Sequence, residues 1–408
     1  MADPVARARR ALPPEPEAVD PLPVERESPL REDRPPPPLW STDLAIVGAA
    51  WLASRGLIVI MWLLTMVLKD RSFIDVVGNW DVQHFATIAR QGYASDPQEM
   101  AFFPGLPILL RGGLALGIPP EVFGVILAMV GSALAAWALM RIGGPWAAVL
   151  WLFAPTAVFT TVGYTEALFC AAAFWAWQRA TTDRWGQAAA LAAAAATLRV
   201  SGLFLIGALG LLALSWPAVR GRPLGVRMRA AATRIGWLAL PAAVIVGYAT
   251  YLWALTGSWT AWYHAQEVGW QRTMTWPWDS VAYTVEVILP GGYADQMGWG
   301  TVFRFELVSF VVGLLTVGWM MRRRRWAEAG WVGVQIFAFS LSQWLMSVNR
   351  AVLLWFPTWQ VMAEVGTRRP STRSGRVVQH ALTIGWGAIS VAAMLWWTWM
   401  FGTGAWSS

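Results

Sequence analysis

The chain has 408 residues, of which 56% are hydrophobic and only 13% are charged. A soluble domain usually carries about 25% charged residues, so the composition argues against a soluble globular protein. The formal net charge is +7, and Lys69 is the only lysine, so the basic residues are nearly all arginine, as is typical of a GC-rich bacterial genome. Cys170 is the only cysteine, which excludes an internal disulfide and a Cys/His metal cluster.

Residues 1 to 40 alternate charges with proline and end in the run Pro35 to Pro38. Such a composition cannot bury a hydrophobic core, so we expect a disordered tail on the cytoplasmic side. No apolar stretch follows a short basic start, which argues against a signal peptide. Residues 41 to 408 are expected to form one membrane-embedded domain.

Apolar stretches long enough to cross a bilayer core of about 30 Å recur beyond residue 41. They lie near 42–68, 101–117, 121–141, 145–162, 164–180, 187–215, 235–256, 301–321, 327–346, 350–366 and 380–402. We therefore predict an all-α polytopic membrane protein with about ten to twelve transmembrane helices.

Three connections are rich in arginine: 216–234, 322–325 and 367–376. The positive-inside rule places them in the cytoplasm, together with the N-terminus, so the polar segments 69–100 and 257–300 should face outward. This requires an odd number of crossings between residues 101 and 215.

Two arrangements give an odd number of crossings. One has five full spans. The other, which we prefer, places 101–117 in the outer interface and breaks 187–215 at residues 199 to 202 into two short helices. Broken helices occur in membranes where the freed backbone groups line a cavity or pack on protein.

The second outward segment, 257–300, is rich in tryptophan. Trp262, Gln266 and Trp270 have helical spacing, which is typical of a helix lying on the membrane surface. We therefore expect an aromatic surface helix near these residues.

Ionisable groups at membrane depth cost several kcal/mol and are therefore functional candidates. Asp81 and His84 are three residues apart, so on a helix they share one face. A partly desolvated carboxylate can take a proton from a sugar hydroxyl as that hydroxyl attacks. The alternative is that Asp81 only caps a short helix. Both interpretations stay open at this point.

Four further ionisable residues interrupt apolar stretches. Glu166 follows Tyr164 and Thr165, where packing does not require an acid. Arg199 and Arg350 are candidate phosphate ligands, although Arg350 has the alternative of reaching lipid headgroups. Arg55 is either a lipid-phosphate ligand or a charge that packs between helices.

These motifs converge on a known family. The string WDVQHFATIARQGY at residues 80 to 93, followed by AFFPGLP, closely resembles the glycosylphosphatidylinositol mannosyltransferase II (PIG-V) family of the GT-C membrane glycosyltransferases. Later blocks resemble the family in the same order: APTAVFTTVGYTEALF, TLRVSGL, the cluster of Gln266, Trp270 and Arg272, and NRAVLLWFP.

The resemblance implies a GT-C-type bundle and an inverting transfer of mannose from a polyprenyl-phosphate-mannose donor, without a cofactor. It implies that Asp81 is the catalytic base and that His84 positions it or contacts phosphate. Arg199 and Arg350 become phosphate contacts, and Gln266 and Arg272 become substrate contacts. The family places an acid three residues after a Gly-Tyr pair, which here is Asp96, but the following spacing is one residue longer and Glu99 competes for this role.

The resemblance does not identify the acceptor, which we expect to be a glycolipid, a glycan or a protein at the outer face of the cytoplasmic membrane. Membrane lipids are expected partners and nucleic acid is not. Two other functions remain open from the sequence: a flippase for lipid-linked sugars, and a non-catalytic scaffold of an envelope glycan complex.

Overall fold

The computed structural model describes residues 42–215, 223–292, 297–368 and 370–407. Their α-helices are α1 (Thr42–Lys69), α2 (Phe73–Val77), α3 (Asp81–Gln91), α4 (Gly105–Ala115), α5 (Pro120–Gly143), α6 (Pro145–Leu152), α7 (Glu166–Thr181), α8 (Trp185–Ala196), α9 (Ser201–Leu214), α10 (Leu224–Trp237), α11 (Ala239–Thr256), α12 (Ala261–Trp270), α13 (Pro277–Ile288), α14 (Met297–Arg322), α15 (Trp326–Ser340), α16 (Val348–Ala351), α17 (Phe356–Thr367) and α18 (Arg373–Gly402). Short 3-10 helices occupy Pro97–Ala101, Ala157–Thr160 and Val352–Leu354. The predicted tail, residues 1 to 40, lies outside the described residues.

Within the described ranges, five helices are long and apolar enough to cross a membrane: α1, α5, α11, α14 and α18. The other predicted spans are shorter helices. The expected span 145–162, for example, ends as a helix at Leu152. Pro155 explains this, because proline disfavours helical geometry in the preceding residue and has no N–H to donate.

The stretch 187–215 is interrupted, as predicted. Helix α8 ends at Ala196 and α9 begins at Ser201, which leaves Arg199 in the interruption. The predicted arginine-rich connection 216–234 differs from its prediction, because α10 already begins at Leu224. Residues 216 to 222 of this connection lie outside the part of the chain that the structure describes.

Small residues allow α5, α7 and α8 to pack closely in the centre of the core. A Cβ atom at Gly124 of α5 would lie 2.6 Å from the Cα of Gly163, just before α7. Alanines of α8, including Ala188 and Ala192, are fully buried. This packing fixes the start of α7, where Glu166 is fully buried.

The turn before α3 is attached to the end of α18. Asn79 Nδ2 donates to the carbonyl of Phe401 at 2.9 Å, and the indole N–H of Trp80 donates to the carbonyl of Ala405 at 3.1 Å. Trp80 has a φ of 55°, which is unusual for a residue with a bulky side chain. These contacts hold the first residue of α3, Asp81, in place.

Candidate active site

Helix α3 is amphipathic and presents Asp81 and His84 on one side. Its apolar residues Val82, Phe85 and Ile88 are buried. The N-cap position belongs to Trp80, and no side chain caps the helix. The alternative that Asp81 only caps a helix is therefore not supported.

The side chain of Asp81 is paired with an arginine from a distant part of the chain. Arg350 Nη1 donates to Asp81 Oδ2 at 2.8 Å. The backbone N–H of Asp81 donates to the hydroxyl of Tyr164 at 3.2 Å. Among the described residues, Asp81 Oδ1 accepts no hydrogen bond, so this oxygen remains for a ligand.

Arg350 connects Asp81 to a second carboxylate. Its Nε atom lies 3.3 Å from Glu166 Oε1, within ion-pair distance but outside hydrogen-bond geometry. Its guanidinium group lies over the rings of Tyr164 and Phe159, at 5.1 and 5.4 Å from the ring centres. The aromatic faces stabilise the cation while excluding water from one of its sides.

Arg199 completes this arrangement from the interruption between α8 and α9. Its Nη1 atom lies 2.5 Å from Glu166 Oε1 and donates to the hydroxyl of Thr165 at 3.1 Å. Asp81, Arg350, Glu166 and Arg199 thus form a contiguous charge cluster of two carboxylates and two guanidinium groups. Opposite charges at these distances compensate one another, which permits their burial.

Arg272, which follows α12, faces the same region. Burial lowers the pKa of its guanidinium group to about 10, and repulsion by Arg350 acts in the same direction. The group is still a cation at neutral pH. Its Nε atom has no hydrogen-bond partner among the described residues, so Arg272 has an unused donor for an anionic ligand.

His84 is held by Glu99. The two side chains approach to 3.2 Å between His84 Nδ1 and Glu99 Oε1, and the imidazole packs against the rings of Phe102 and Trp270, which also contact each other. Burial lowers the pKa of His84, but the hydrogen bond to Glu99 and the charges of Glu99, Asp81 and Asp96 together outweigh it, and the net shift is upward. The imidazole is therefore protonated more readily than in water.

Asp96 and Glu99, the two candidates for the family acid, have different surroundings. Asp96 is exposed, and its carboxylate caps the short helix Pro97–Ala101 through the N–H of Gln98 at 2.8 Å. Glu99 is buried and contacts His84. Of the two acids, Glu99 is therefore the one that the fold joins to the site.

These side chains surround a cavity of about 810 Å³. The predicted site residues in its wall are Asp81, His84, Arg199, Gln266, Arg272 and Arg350. Glu166 and Glu99 lie one contact behind this wall. Cavities of this size accommodate ligands as large as a sugar phosphate with part of a lipid chain.

Arg55 does not belong to this wall. It is buried in α1 and donates to the carbonyl of Ala157 at 3.3 Å and to the hydroxyl of Thr161 at 2.7 Å. The predicted role as a phosphate ligand is therefore not supported, whereas its alternative, a charge that packs between helices, agrees with the structure. The 3-10 helix at 157 to 160 contributes the carbonyl that satisfies it.

The predicted helix containing Trp262, Gln266 and Trp270 is present as α12. The shared face does not point away from the protein. Trp262 and Gln266 both donate to the carbonyl of Ala101, at 3.1 and 3.4 Å, and all three side chains line the cavity. This face of α12 therefore meets the cavity.

Sequence reasoning missed Glu306. This fully buried residue of α14 accepts hydrogen bonds from the backbone N–H groups of Ser347 and Asn349, both at 3.0 Å. It thereby stabilises the turn that begins α16 and carries Arg350. An acid inside the apolar stretch 301–321 was the available signal, by the same criterion that identified Glu166.

The described residues contain no group of three or more His, Cys, Asp or Glu side chains that could hold a metal ion. The fold and the cavity define an all-helical, multi-pass membrane protein with a buried, charged site. Its acids and arginines come from at least five separate segments of the chain.

Part of the chain is similar in sequence to proteins that are named mannosyltransferases. GPI alpha-1,6-mannosyltransferase 2 of Mus musculus is 34% identical over 150 residues, which cover 32% of this chain and 30% of the relative. The Homo sapiens protein of the same name is 33% identical over the same extent. The resemblance to PIG-V is confirmed over this region, while the chain matches only about 30% of the relatives' length.

A solved structure of ArnT from Cupriavidus metallidurans bound to undecaprenyl phosphate is similar, with a TM-score of 0.47 and 13% identity. The similarity covers 86% of this chain and 69% of ArnT. No family model matches the chain.

Proposed function

We propose that this protein is an inverting membrane glycosyltransferase that transfers mannose from a polyprenyl-phosphate-mannose donor. The observation that carries the proposal is the placement of one carboxylate, Asp81, in a cavity shared with Arg199, Arg272 and Arg350. The similarity to GPI alpha-1,6-mannosyltransferase 2 supports the sugar. The acceptor is a glycolipid, a glycan or a protein.

In the proposed reaction, Asp81 accepts the proton of the acceptor hydroxyl through Oδ1, the oxygen that Arg350 leaves open. The acceptor oxygen forms a bond to the anomeric carbon from the face opposite the phosphate. The bond between that carbon and the phosphate oxygen breaks, and its electron pair remains on the lipid phosphate. Because the attack is on the opposite face, the anomeric configuration inverts.

The arginines stabilise the departing phosphate. Arg199 and Arg272 face the cavity, and hydrogen bonds from charged donors to phosphate oxygens are about twice as strong as neutral ones. A phosphate leaving group needs no strong general acid. Arg350 has a different task, because it already contacts Asp81 and orients this carboxylate.

The test is transfer of labelled mannose from polyprenyl-phosphate-mannose by purified protein in lipid nanodiscs, with lipid extracts as acceptors. We expect Asp81→Asn to lower the turnover number by about 10² to 10⁴, the range for loss of a general base. The matched control is Asp70→Asn. Asp70 is an exposed acid in the connection between α1 and α3, and it lines no part of the cavity.

The outcomes separate this proposal from the two other functions. A flippase would move labelled lipid across the bilayer and transfer no sugar. A scaffold would transfer nothing alone and would recruit transferase activity from a partner. Full transfer by Asp81→Asn would refute the assignment of the base.

We also propose that the cavity faces the outer side of the cytoplasmic membrane, with the N-terminus in the cytoplasm. Single cysteines at Ser95, Ser258 and Ser371, in a chain with Cys170 replaced, test this topology. Labelling of the first two from outside, and of the third only after permeabilisation, is the expected result. The reverse pattern would contradict it.

A further inference from the structure

A second pocket, of about 400 Å³, lies beside the cavity. Its polar and aromatic lining consists of Thr273, Thr275, Trp276, Asp279, Tyr283 and Gln343. Met274 lines both the pocket and the cavity. The two spaces are therefore neighbours that meet at this exposed side chain.

Each of the segments 273–275 and 341–343 lines both spaces. Met274 and Ser342 form an antiparallel bridge, and the N–H of Thr275 donates to the carbonyl of Leu341 at 3.0 Å. Residues 273 to 275 all line the second pocket, and Met274 also lines the cavity. Ser342 lines the cavity and Gln343 lines the second pocket.

The second pocket offers hydrogen-bonding groups that the protein itself does not use. Among the described residues, the side chains of Asp279 and Gln343 make no hydrogen bond or ion pair. Neither does the indole N–H of Trp276. A half-buried carboxylate and amide without partners are costly unless water or a ligand satisfies them.

Trp276 adds a flat apolar surface. Its ring is parallel to that of Trp278, with centres 5.3 Å apart and an angle of 3° between the planes. Trp276 is 61% exposed. A pyranose ring has an apolar C–H face and an edge of hydroxyl groups, so an indole face beside a carboxylate, an amide and hydroxyl groups matches both of its surfaces.

We infer that the second pocket is an acceptor subsite that binds a hexopyranose ring beyond the ring that receives the new sugar. The inference rests on the proposed function for the direction of transfer. It narrows the acceptor to a glycan or glycolipid with at least two sugar rings, which pass over Met274 from the second pocket into the cavity.

Binding is tested first without catalysis. Protein in amine-oxide micelles, which carry no sugar headgroup, is titrated with mannobiose, maltose and lactose and observed by saturation-transfer NMR. At least one disaccharide should bind saturably. Its affinity should fall tenfold or more in Trp276→Ala and in Asp279→Asn, because each change removes a contact in the pocket.

Trp259→Ala is the matched control. Trp259 is 62% exposed and its ring is stacked on Trp253 at 5.3 Å, but it lines neither space. If Trp276 only anchored the protein at a lipid interface, the two alanine variants would bind the disaccharide equally. Equal binding would overturn the inference, and so would the absence of binding by all three disaccharides.

Transfer provides a second readout. With octyl mannoside and octyl mannobioside as acceptors, the wild-type protein should show a higher kcat/KM for the two-ring acceptor. Trp276→Ala and Asp279→Asn should abolish this preference and leave the one-ring acceptor unchanged. Disaccharide binding without any transfer would refute the proposed transferase, whereas transfer without a ring preference would refute the subsite.

Discussion

The charge cluster of Asp81, Arg350, Glu166 and Arg199 predicts a specific pattern of stability. The cluster is neutral, with two carboxylates and two guanidinium groups. Arg350→Met leaves one uncompensated negative charge, and Glu166→Gln leaves one uncompensated positive charge. The double variant is neutral again. Its cost should therefore be smaller than the sum of the two single costs.

The expected loss of stability depends on how deeply the two side chains are buried. The side chains of Arg350 and Glu166 are only 10% and 0% exposed. Removing one partner of a buried ion pair typically costs about 3–5 kcal/mol, mostly because the remaining charge stays buried. Groups in direct contact are coupled by about 0.5–3 kcal/mol. We expect each single variant in the first range and the coupling in the upper half of the second.

The assay is reversible unfolding by titration with a denaturing detergent in mixed micelles, followed by tryptophan fluorescence. The pair Arg90 and Glu121 is the matched control, because its N–O distance of 2.9 Å is no longer than the 3.3 Å between Arg350 and Glu166, but its side chains are 44% and 12% exposed. Its coupling should be about 0.2–1 kcal/mol. A coupling between Arg350 and Glu166 no larger than this would refute the reasoning.

Three further changes test other parts of the fold. Glu306→Gln replaces a carboxylate that accepts from two backbone N–H groups by an amide with one acceptor oxygen. It should destabilise the protein by about 1–3 kcal/mol and lower kcat more than it raises KM. An unchanged kcat would contradict a positioning role. The upward pKa shift of His84 makes its pair with Glu99 stabilising below about pH 6.5, with the benefit lost as pH rises through the folded pKa. The difference in unfolding free energy between wild type and Glu99→Gln should shrink between pH 5.5 and 8.5, and a constant difference would contradict this. Gly124→Ala should cost about 1–3 kcal/mol, because its Cβ would collide with the backbone of Gly163, and wild-type stability would contradict the close approach.

Local patterns in the sequence predicted local structure well. The spacing of Asp81 and His84 required a helix for a shared face, and α3 has that face. The polar residues around Arg199 predicted the interruption between α8 and α9. In both cases the information lies within one or two helical turns, where side-chain spacing determines direction.

Pairing between distant segments was not predictable in the same way. The sequence marked Arg55, Arg199 and Arg350 alike as arginines in apolar surroundings. Only the fold shows that two of them face the cavity, while Arg55 is satisfied by Ala157 and Thr161. One-dimensional patterns report that a buried charge exists, but its partner depends on how helices pack.

Glu306 illustrates the same limit. Its partners, the backbone N–H groups of Ser347 and Asn349, are about forty residues away in the chain. Backbone groups carry no sequence signature, so a side chain that caps a distant helix has no recognisable motif. Hydropathy also overestimates the length of helices. A proline such as Pro155 ends a helix inside a stretch whose hydropathy is continuous.

The contact between Asp81 and Arg350 joins residues that are 269 positions apart. During synthesis, α3 is complete long before α16 exists, so the nascent chain carries the carboxylate of Asp81 without its cation. The site is assembled only when the later helices have entered the membrane and packed. A chain that ends before α16 lacks Arg350 and cannot form this ion pair, so the proposed activity should depend on completed insertion of the later helices.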